Sequence, residues 1–374
     1  MPGSLLLRRF LSPTDRKKLE SLQLIRASGM FDAAWYARQH PEVGAEGWTA
    51  AEHYLEVGAR SGYAPSPRFD GIMYTMLRPE IVEQHVNPLA HFATSGGPLP
   101  EPLDLDAGRH LRCCVLVHLF YADLWDELAA YLASLQGTCA TTMLVNIPEP
   151  AATLELRRRI ERRFPQARIV VSPNRGRDIG GFFRLLSLVD FADHDVFMLV
   201  HSKRSPHCKA HLAGAWRHRL LNALLGSRDI VRENLAIFAT HPKIGGLAAA
   251  GARRTDISRN GPAYAMLVER LGVPEPLRDC EYVTGTMLML RSEVLRRLYE
   301  PIADVQFELG DNMPLDFHID GQLAHGIERC VGAVMRTLGF RMAWRPAPDG
   351  CDVELPPDPL PVGLQAFPPA AVAA

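Results

Sequence analysis

The sequence predicts an α/β protein: a three-layer domain with a largely parallel sheet, preceded by a small helical repeat domain. Three observations carry this prediction. Short apolar runs alternate with stretches of helical periodicity through residues 111 to 348. Two of those runs, inside Ile169 to His207, each end in a dense polar cluster. Residues 31 to 96 repeat themselves at an offset of 38.

The first residues, MPGSLLLRRFLSPTDRKKLE, hold too short an apolar run for a signal peptide and no small-residue cleavage site. They read as a terminal helix packing on the first domain, with a weak basic amphipathic membrane contact as the alternative. In the repeat, Phe31 maps to Phe69, Asp32 to Asp70, Tyr36 to Tyr74, Pro41 to Pro79, His53 to His91, Tyr54 to Phe92 and Gly58 to Gly96. Each copy reads as two helices joined near its Pro-Glu, and one copy cannot bury its aromatic face alone. His53 and His91 read as packed, hydrogen-bonded side chains, since no further metal ligands recur with them.

The Pro-rich stretch through residues 97 to 110 is a linker. Beyond it, Arg112 to Val117 and Thr141 to Ile147 read as buried strands, and Trp125 to Leu135 as a helix. A second helix, Leu154 to Phe164, carries five arginines that make a solvated outer face or a contact to anionic lipid. Ile169 to Val171 and Val196 to Val200 are the next two strands. Helices follow at Trp216 to Leu225 and Arg228 to Ala239, then a strand at Ile244 to Ala249. Gly251 to Asp279 is a long excursion, suited to an acceptor-binding flap or plain surface. Tyr282 to Leu290 reads as one strand, Ser292 to Leu298 as a helix, and a last helix opens at Asp320. Residues 349 to 374 form a Pro/Ala-rich tail.

Asn174, Arg175, Gly176, Arg177 and Asp178 stand between a strand and a helix N-terminus, a place that holds anions. His201, Lys203 and Ser205 follow the next strand, and His118 ends the first. If the strands at 169 and 196 are neighbours, both clusters open on one crevice at the carboxyl edge of the sheet. Asp178 either touches the ligand or pairs with Arg175 or Arg177, and Asn174 either binds ligand or stabilises the turn. Gly180-Gly181-Phe182 leaves room in the pocket.

Composition narrows the partners. A net charge of -1 gives no general attraction to nucleic acid. Hydrophobic content of 47% and charged content of 22% suit a globular protein, and no segment reaches the ~20 apolar residues of a membrane span. Seven cysteines without a CxxC pair read as reduced thiols, hence a cytoplasmic protein, with peripheral contact at the inner face of the cell membrane as an option.

The motifs NRGRDIGGFF, the HSK after a strand, VHLFYADLWDEL ending at Leu128, and the GTM of Gly285 to Met287 resemble the rhamnan synthesis protein F family of bacterial polysaccharide glycosyltransferases. The resemblance runs in order from roughly Arg112 to Phe340. It implies a nucleotide-sugar-binding, GT-A-like fold and transfer of a sugar, a deoxyhexose such as rhamnose, from a nucleoside diphosphate donor to a polysaccharide or lipid-linked glycan. Many such transferases place an Asp-x-Asp metal site where this chain has His201-Ser202-Lys203. Lysine and neutral histidine do not replace two carboxylates around a hard cation, so we expect no metal and no cofactor besides the donor substrate. Lys203, Arg175 and Arg177 would neutralise the diphosphate. Similarity to inverting transferases makes Asp320 the expected base, with Asp316 and Glu281 as alternates; a helix cap is its plain alternative role. Two other classes stay open: a non-catalytic glycan or nucleotide-sugar binding subunit, and a phosphate-ester enzyme, the latter disfavoured by the lack of clustered acids.

Overall fold

The computed structural model describes residues 12–45, 47–96, 98–204, 210–256, 261–308 and 322–347. Ser205, Asp316, Asp320, the first eleven residues and the tail from residue 348 lie outside the described residues.

Helix α1 (Pro13–Ala27) precedes the repeats, which form α2 (Ala33–Gln39), α3 (Glu42–Ala45), α4 (Ala50–His53), α5 (Gly71–Met76), α6 (Pro79–Glu83) and α7 (Pro88–Ser95). The duplication seen in the sequence is reproduced atom for atom at its key positions. Asp32 caps α2 through the Trp35 N–H at 2.9 Å, and Asp70 caps α5 through the Met73 N–H at 2.9 Å. Tyr36 and His53 share a hydrogen bond at 2.9 Å, as do Tyr74 and His91. Both histidines are therefore packed against the tyrosine hydroxyl of their own copy. Tyr36, Tyr54, Phe69 and Tyr74 lie in one apolar cluster with Leu22 and Ile25 of α1. Met73 and Met76 belong instead to the core of the sheet, and the Arg345 guanidinium reaches the Met76 sulfur at 3.6 Å.

After these come β1 (Arg112–His118), α8 (Trp125–Leu132), β2 (Ala140–Pro148), α9 (Leu154–Arg163), β3 (Arg168–Ser172), α10 (Arg177–Leu186) and β4 (Val196–His201). They are followed by α11 (Ala210–Leu225), α12 (Arg228–Thr240), β5 (Ile244–Ala249), β6 (Arg253–Arg254), α13 (Gly261–Arg270), β7 (Tyr282–Val283), β8 (Leu288–Arg291), α14 (Ser292–Tyr299), α15 (Leu323–Thr337) and β9 (Arg341–Arg345). The main sheet is mixed α/β architecture at its centre, with strand order β3-β2-β1-β4-β8-β5-β9. Only β8 runs against its neighbours. Helices cover both faces, which is why β1 and β4 read as unbroken apolar runs and not as alternating ones.

Three sequence expectations change. Strands β3 and β4 are not neighbours: β2 and β1 lie between them, because β1 pairs with both β2 and β4. Tyr282 to Leu290 is not one strand. Gly285 at φ 90° and Thr286 at φ 51° cannot lie on a pleated strand, so Tyr282 and Val283 pair with Arg254 and Arg253 while Leu288 onward joins the main sheet. The excursion from Gly251 is not plain loop either. It contains β6 and α13, whose Tyr264, Leu267 and Val268 are buried. The outer-face reading of α9 stands: Leu156 and Ile160 are buried, and Arg159 pairs with Asp126 at 2.6 Å. Among the described residues, no helix is long and apolar enough to cross a membrane.

Candidate functional site at the carboxyl ends of β1 and β4

His118 and His201 are the last residues of β1 and β4, and they stand opposite each other in the parallel register. From β1 the chain adds strands to one side and then, with β4, to the other. In open α/β sheets the crevice at such a reversal is where ligands enter. Phe182 of α10, itself buried, lies edge-on to both imidazoles with centroid distances of 6.4 Å.

Glycines decide how closely α10 approaches. A Cβ on Gly181 would stand 2.1 Å from His118 Nδ1 and 2.8 Å from Asn146 Oδ1, and one on Gly180 would stand 1.9 Å from the Arg175 carbonyl oxygen. These glycines do not leave pocket space, as the sequence suggested; the helix and its own loop fill it. Gly176 has φ 66° and lies against Phe307, and Arg177 follows at φ 53°. The only other non-glycine residues with positive φ among those described are Thr286 and His85. A β-branched residue such as Thr286 in that region is strained, and strained backbone concentrates where surrounding contacts impose it.

Those contacts are visible. Oε1 of Glu328 on α15 accepts the Gly285 N–H at 2.6 Å and the Thr286 hydroxyl at 3.1 Å, while Oε2 takes Arg329 Nη1 at 3.2 Å. The Gly285 carbonyl in turn accepts from His201 Nε2 at 2.7 Å. Asp178, in the first turn of α10, brings Oδ2 to 3.5 Å from the same Nε2. On the other strand end, His118 Nδ1 meets Asn146 Oδ1 at 2.8 Å, and Asn146 Nδ2 donates to Ser172 Oγ at 2.8 Å. Ser202 closes the pair, donating its N–H to the His118 carbonyl at 3.0 Å and accepting the Tyr121 N–H on Oγ at 2.8 Å.

Electrostatics follow from burial and these neighbours. Burial pushes the Asp178 carboxyl up, but His201, Lys203 and His118, with the Thr286 hydroxyl, outweigh it and hold the group below the usual carboxylate range. Burial drives His201 below the ordinary imidazole value despite the pull of Asp178, with Lys203 adding to the fall. Both ring nitrogens face carbonyls, Nε2 that of Gly285 at 2.7 Å and Nδ1 that of Ser202 at 3.3 Å, and the shorter contact is a hydrogen bond that Nε2 donates. Burial, then the Asp178 charge, raise Glu328 above the carboxylate range against Arg329, the Gly285 N–H and Lys203.

The structure therefore brings together His118, His201, Lys203, Asp178 and the start of α10. The cations that act on Asp178 are the strand-end residues and not Arg175 or Arg177. Arg175 is exposed and donates to the Phe307 carbonyl at 3.3 Å, and Arg177 Nη1 lies 3.4 Å from His325 Nε2. Asn174 is half-buried in the turn before them. Lys203 is half-buried, with Nζ 3.7 Å from where a Gly285 Cβ would stand. Gly176 N–H donates to the Glu308 carbonyl at 3.0 Å, and Glu308 Oε1 accepts the Leu323 N–H at 3.1 Å. Glu308 thus links the NRGRD loop to the start of α15. Glu281 lies elsewhere, buried against Arg336 toward the far end of α15. Sequence reasoning missed Asn146, and gave no role in the site to Thr286, which lies in the GTM motif, or to Glu328, which follows Asp320. The available signal was Glu328 itself, an acid interrupting the apolar stripe of Ile327, Val331 and Val334.

Comparison with known proteins adds the family. The chain is 30% identical over 234 residues to WxcX, a protein described as uncharacterized, from two strains of Xanthomonas campestris pv. campestris. The match covers 61% of this chain and 32% of each relative, so the chain spans about a third of the length of those relatives. The family described as rhamnan synthesis protein F matches residues 100–338, which include every strand but β9 and every site residue described above. This protein belongs to the rhamnan synthesis protein F family.

Proposed function

We propose that this protein acts in polysaccharide biosynthesis as a glycosyltransferase. On this reading it moves a sugar, rhamnose or another deoxyhexose, from a nucleoside diphosphate donor to a polysaccharide or lipid-linked glycan. The observation that carries the proposal is the convergence of His118, His201, Lys203 and the first turn of α10 in the crevice between β1 and β4. The family's association with rhamnan synthesis supports the substrate class.

In the proposed reaction an acceptor hydroxyl oxygen attacks the anomeric carbon of the donor. The bond from that carbon to the diphosphate oxygen breaks, and its electron pair stays on the diphosphate. Lys203, Arg175, Arg177 and the N–H groups opening α10 are suited to that growing charge. Asp178 is a poor base because its carboxyl is held low, so its part is to orient His201 beside Lys203. Glu328 is already committed to Gly285, Thr286 and Arg329, which makes it a positioning residue. Asp320 remains the proposed base, with His118, Asn174 and Ser205 on the donor side. The division into a GT-A-like domain over residues 111–348 and a helical repeat domain over 1–96 belongs to the same proposal, as does a metal-free diphosphate site.

The test is a thermal-shift screen against nucleoside diphosphate sugars with and without EDTA, alongside Lys203→Ala. A donor that raises the midpoint in EDTA, with the response lost in the variant, is the expected result. Binding that needs manganese overturns the metal-free clamp. No response to any nucleotide sugar overturns the transferase reading in favour of a binding subunit.

A further inference from the structure

A second cationic and aromatic cluster stands beside this site. Trp216 on α11 has two guanidiniums against its ring, Arg219 from the next turn and Arg254 from β6, each with its central carbon 5.9 Å from the ring centroid. Both arginines also converge on Gly251. A Cβ there would stand 2.9 Å from Arg219 Cδ and Nη1, and the Gly251 carbonyl accepts Arg254 Nη1 at 2.9 Å. Arg254 Nη1 donates again to the Arg253 carbonyl at 2.7 Å. Carbonyls hold the guanidinium in place without cancelling its charge.

The cluster is tied to the site through short chains of contact. Arg217, next to Trp216, is clamped by Glu127 at 2.6 and 2.8 Å and donates to the Lys203 carbonyl at 3.0 Å. Leu220 of the same helix lies 3.1 Å from the Cβ position of Gly285. Arg254 pairs with Tyr282, and the Thr284 N–H donates to the Ala252 carbonyl at 2.9 Å, immediately before the Gly285 turn. Strand β5 runs parallel to β4, since each is antiparallel to β8, so its carboxyl end opens on the same edge of the sheet as His201.

We propose that Trp216, Arg219 and Arg254 form an acceptor subsite for a negatively charged sugar, one bearing a carboxylate or a phosphate. Guanidinium forks match the planar oxygens of a carboxylate and the oxygens of a phosphate, and cation–π contact orients them before the ligand arrives. Fixing the charged group on the helix whose Arg217 holds the Lys203 carbonyl would bring a neighbouring hydroxyl of the glycan toward the donor. This inference rests on the transferase reading for its purpose, but not for its binding test.

The experiment titrates the full chain, by calorimetry and thermal shift, with trigalacturonate, glucose 1-phosphate and maltotriose as carboxylated, phosphorylated and neutral probes. A nucleoside diphosphate is titrated in parallel. The expected result is that at least one anionic sugar binds and maltotriose does not, with that affinity falling about tenfold or more in Arg254→Gln. Arg219→Lys, which keeps the charge and loses the fork, falls less. Nucleotide binding stays intact in both variants, while Lys203→Ala shows the reverse pattern. Equal binding of maltotriose, failure of both anionic sugars, or undiminished binding by Arg254→Gln overturns the subsite. Loss of nucleotide binding in Arg254→Gln also overturns it, by assigning the cluster to the donor. Absence of nucleotide binding in the native chain counts against the transferase reading alone, since the sugar titrations still decide the subsite.

Discussion

Oε1 of Glu328 accepts the backbone N–H of Gly285 at 2.6 Å, and through that bond a helix fixes the turn whose carbonyl receives His201. Two elements that meet nothing in sequence thereby hold a strained Thr286 and a buried imidazole in one arrangement.

Removing that carboxylate should therefore cost more than one hydrogen bond. Glu328→Ala leaves the Gly285 N–H, the Thr286 hydroxyl and the buried Arg329 guanidinium without this partner, and urea unfolding should show a loss of about 3 kcal/mol. Glu328→Gln keeps one oxygen for Gly285 and should lose about 1–2 kcal/mol. Equal costs for the two would mean that the charge on Glu328, not its acceptor oxygen, holds the turn.

Gly181→Ala should displace His118. The added methyl has no room between the imidazole and Asn146, and the resulting overpacking should cost about 1–3 kcal/mol in an unfolding titration. Gly44→Ala, in α3 with nothing within 4 Å of its Cβ position, should be neutral or stabilising by up to about 1 kcal/mol.

Stability should fall on acidification in two stages. His201 has a folded pKa below its ordinary 6.5, so the unfolded chain binds the proton first and stability is lost as pH falls from that value through the lowered one. Asp178, lowered from 3.8, acts the same way at more acid pH. Glu328 is raised, so its contribution has the opposite sign, present below its ordinary 4.5 and lost as pH rises through the folded value. His201→Gln should make the limb just below pH 6.5 shallower in a series of midpoints measured against pH, leaving the share of His40, His194 and His241, which burial also lowers from 6.5; an unchanged limb would show that His201 contributes nothing to it.

The two copies of the helical repeat should respond unequally to the same deletion. Tyr36→Phe leaves a buried His53 without its hydroxyl, whereas His91 opposite Tyr74 is half-buried and water can replace the bond. Unfolding titrations should give about 1–2 kcal/mol for Tyr36→Phe and less for Tyr74→Phe.

What the sequence determined by itself is local: strands β1 to β5, the helices between them, the 38-residue repeat, and the two polar clusters that end β3 and β4. Each shows in a run of residues because a doubly covered parallel strand is continuously apolar and a capped helix announces its start. Tertiary structure decided the rest. It put two strands between β3 and β4 and brought their loops together through α10. It broke Tyr282 to Leu290 at two residues of positive φ, and it joined Glu328 to Gly285 across 43 positions of chain, the separation of the two residue numbers. The physical reason is that strand order and long-range hydrogen bonds depend on which surfaces meet, and neither periodicity nor turn chemistry encodes the partner.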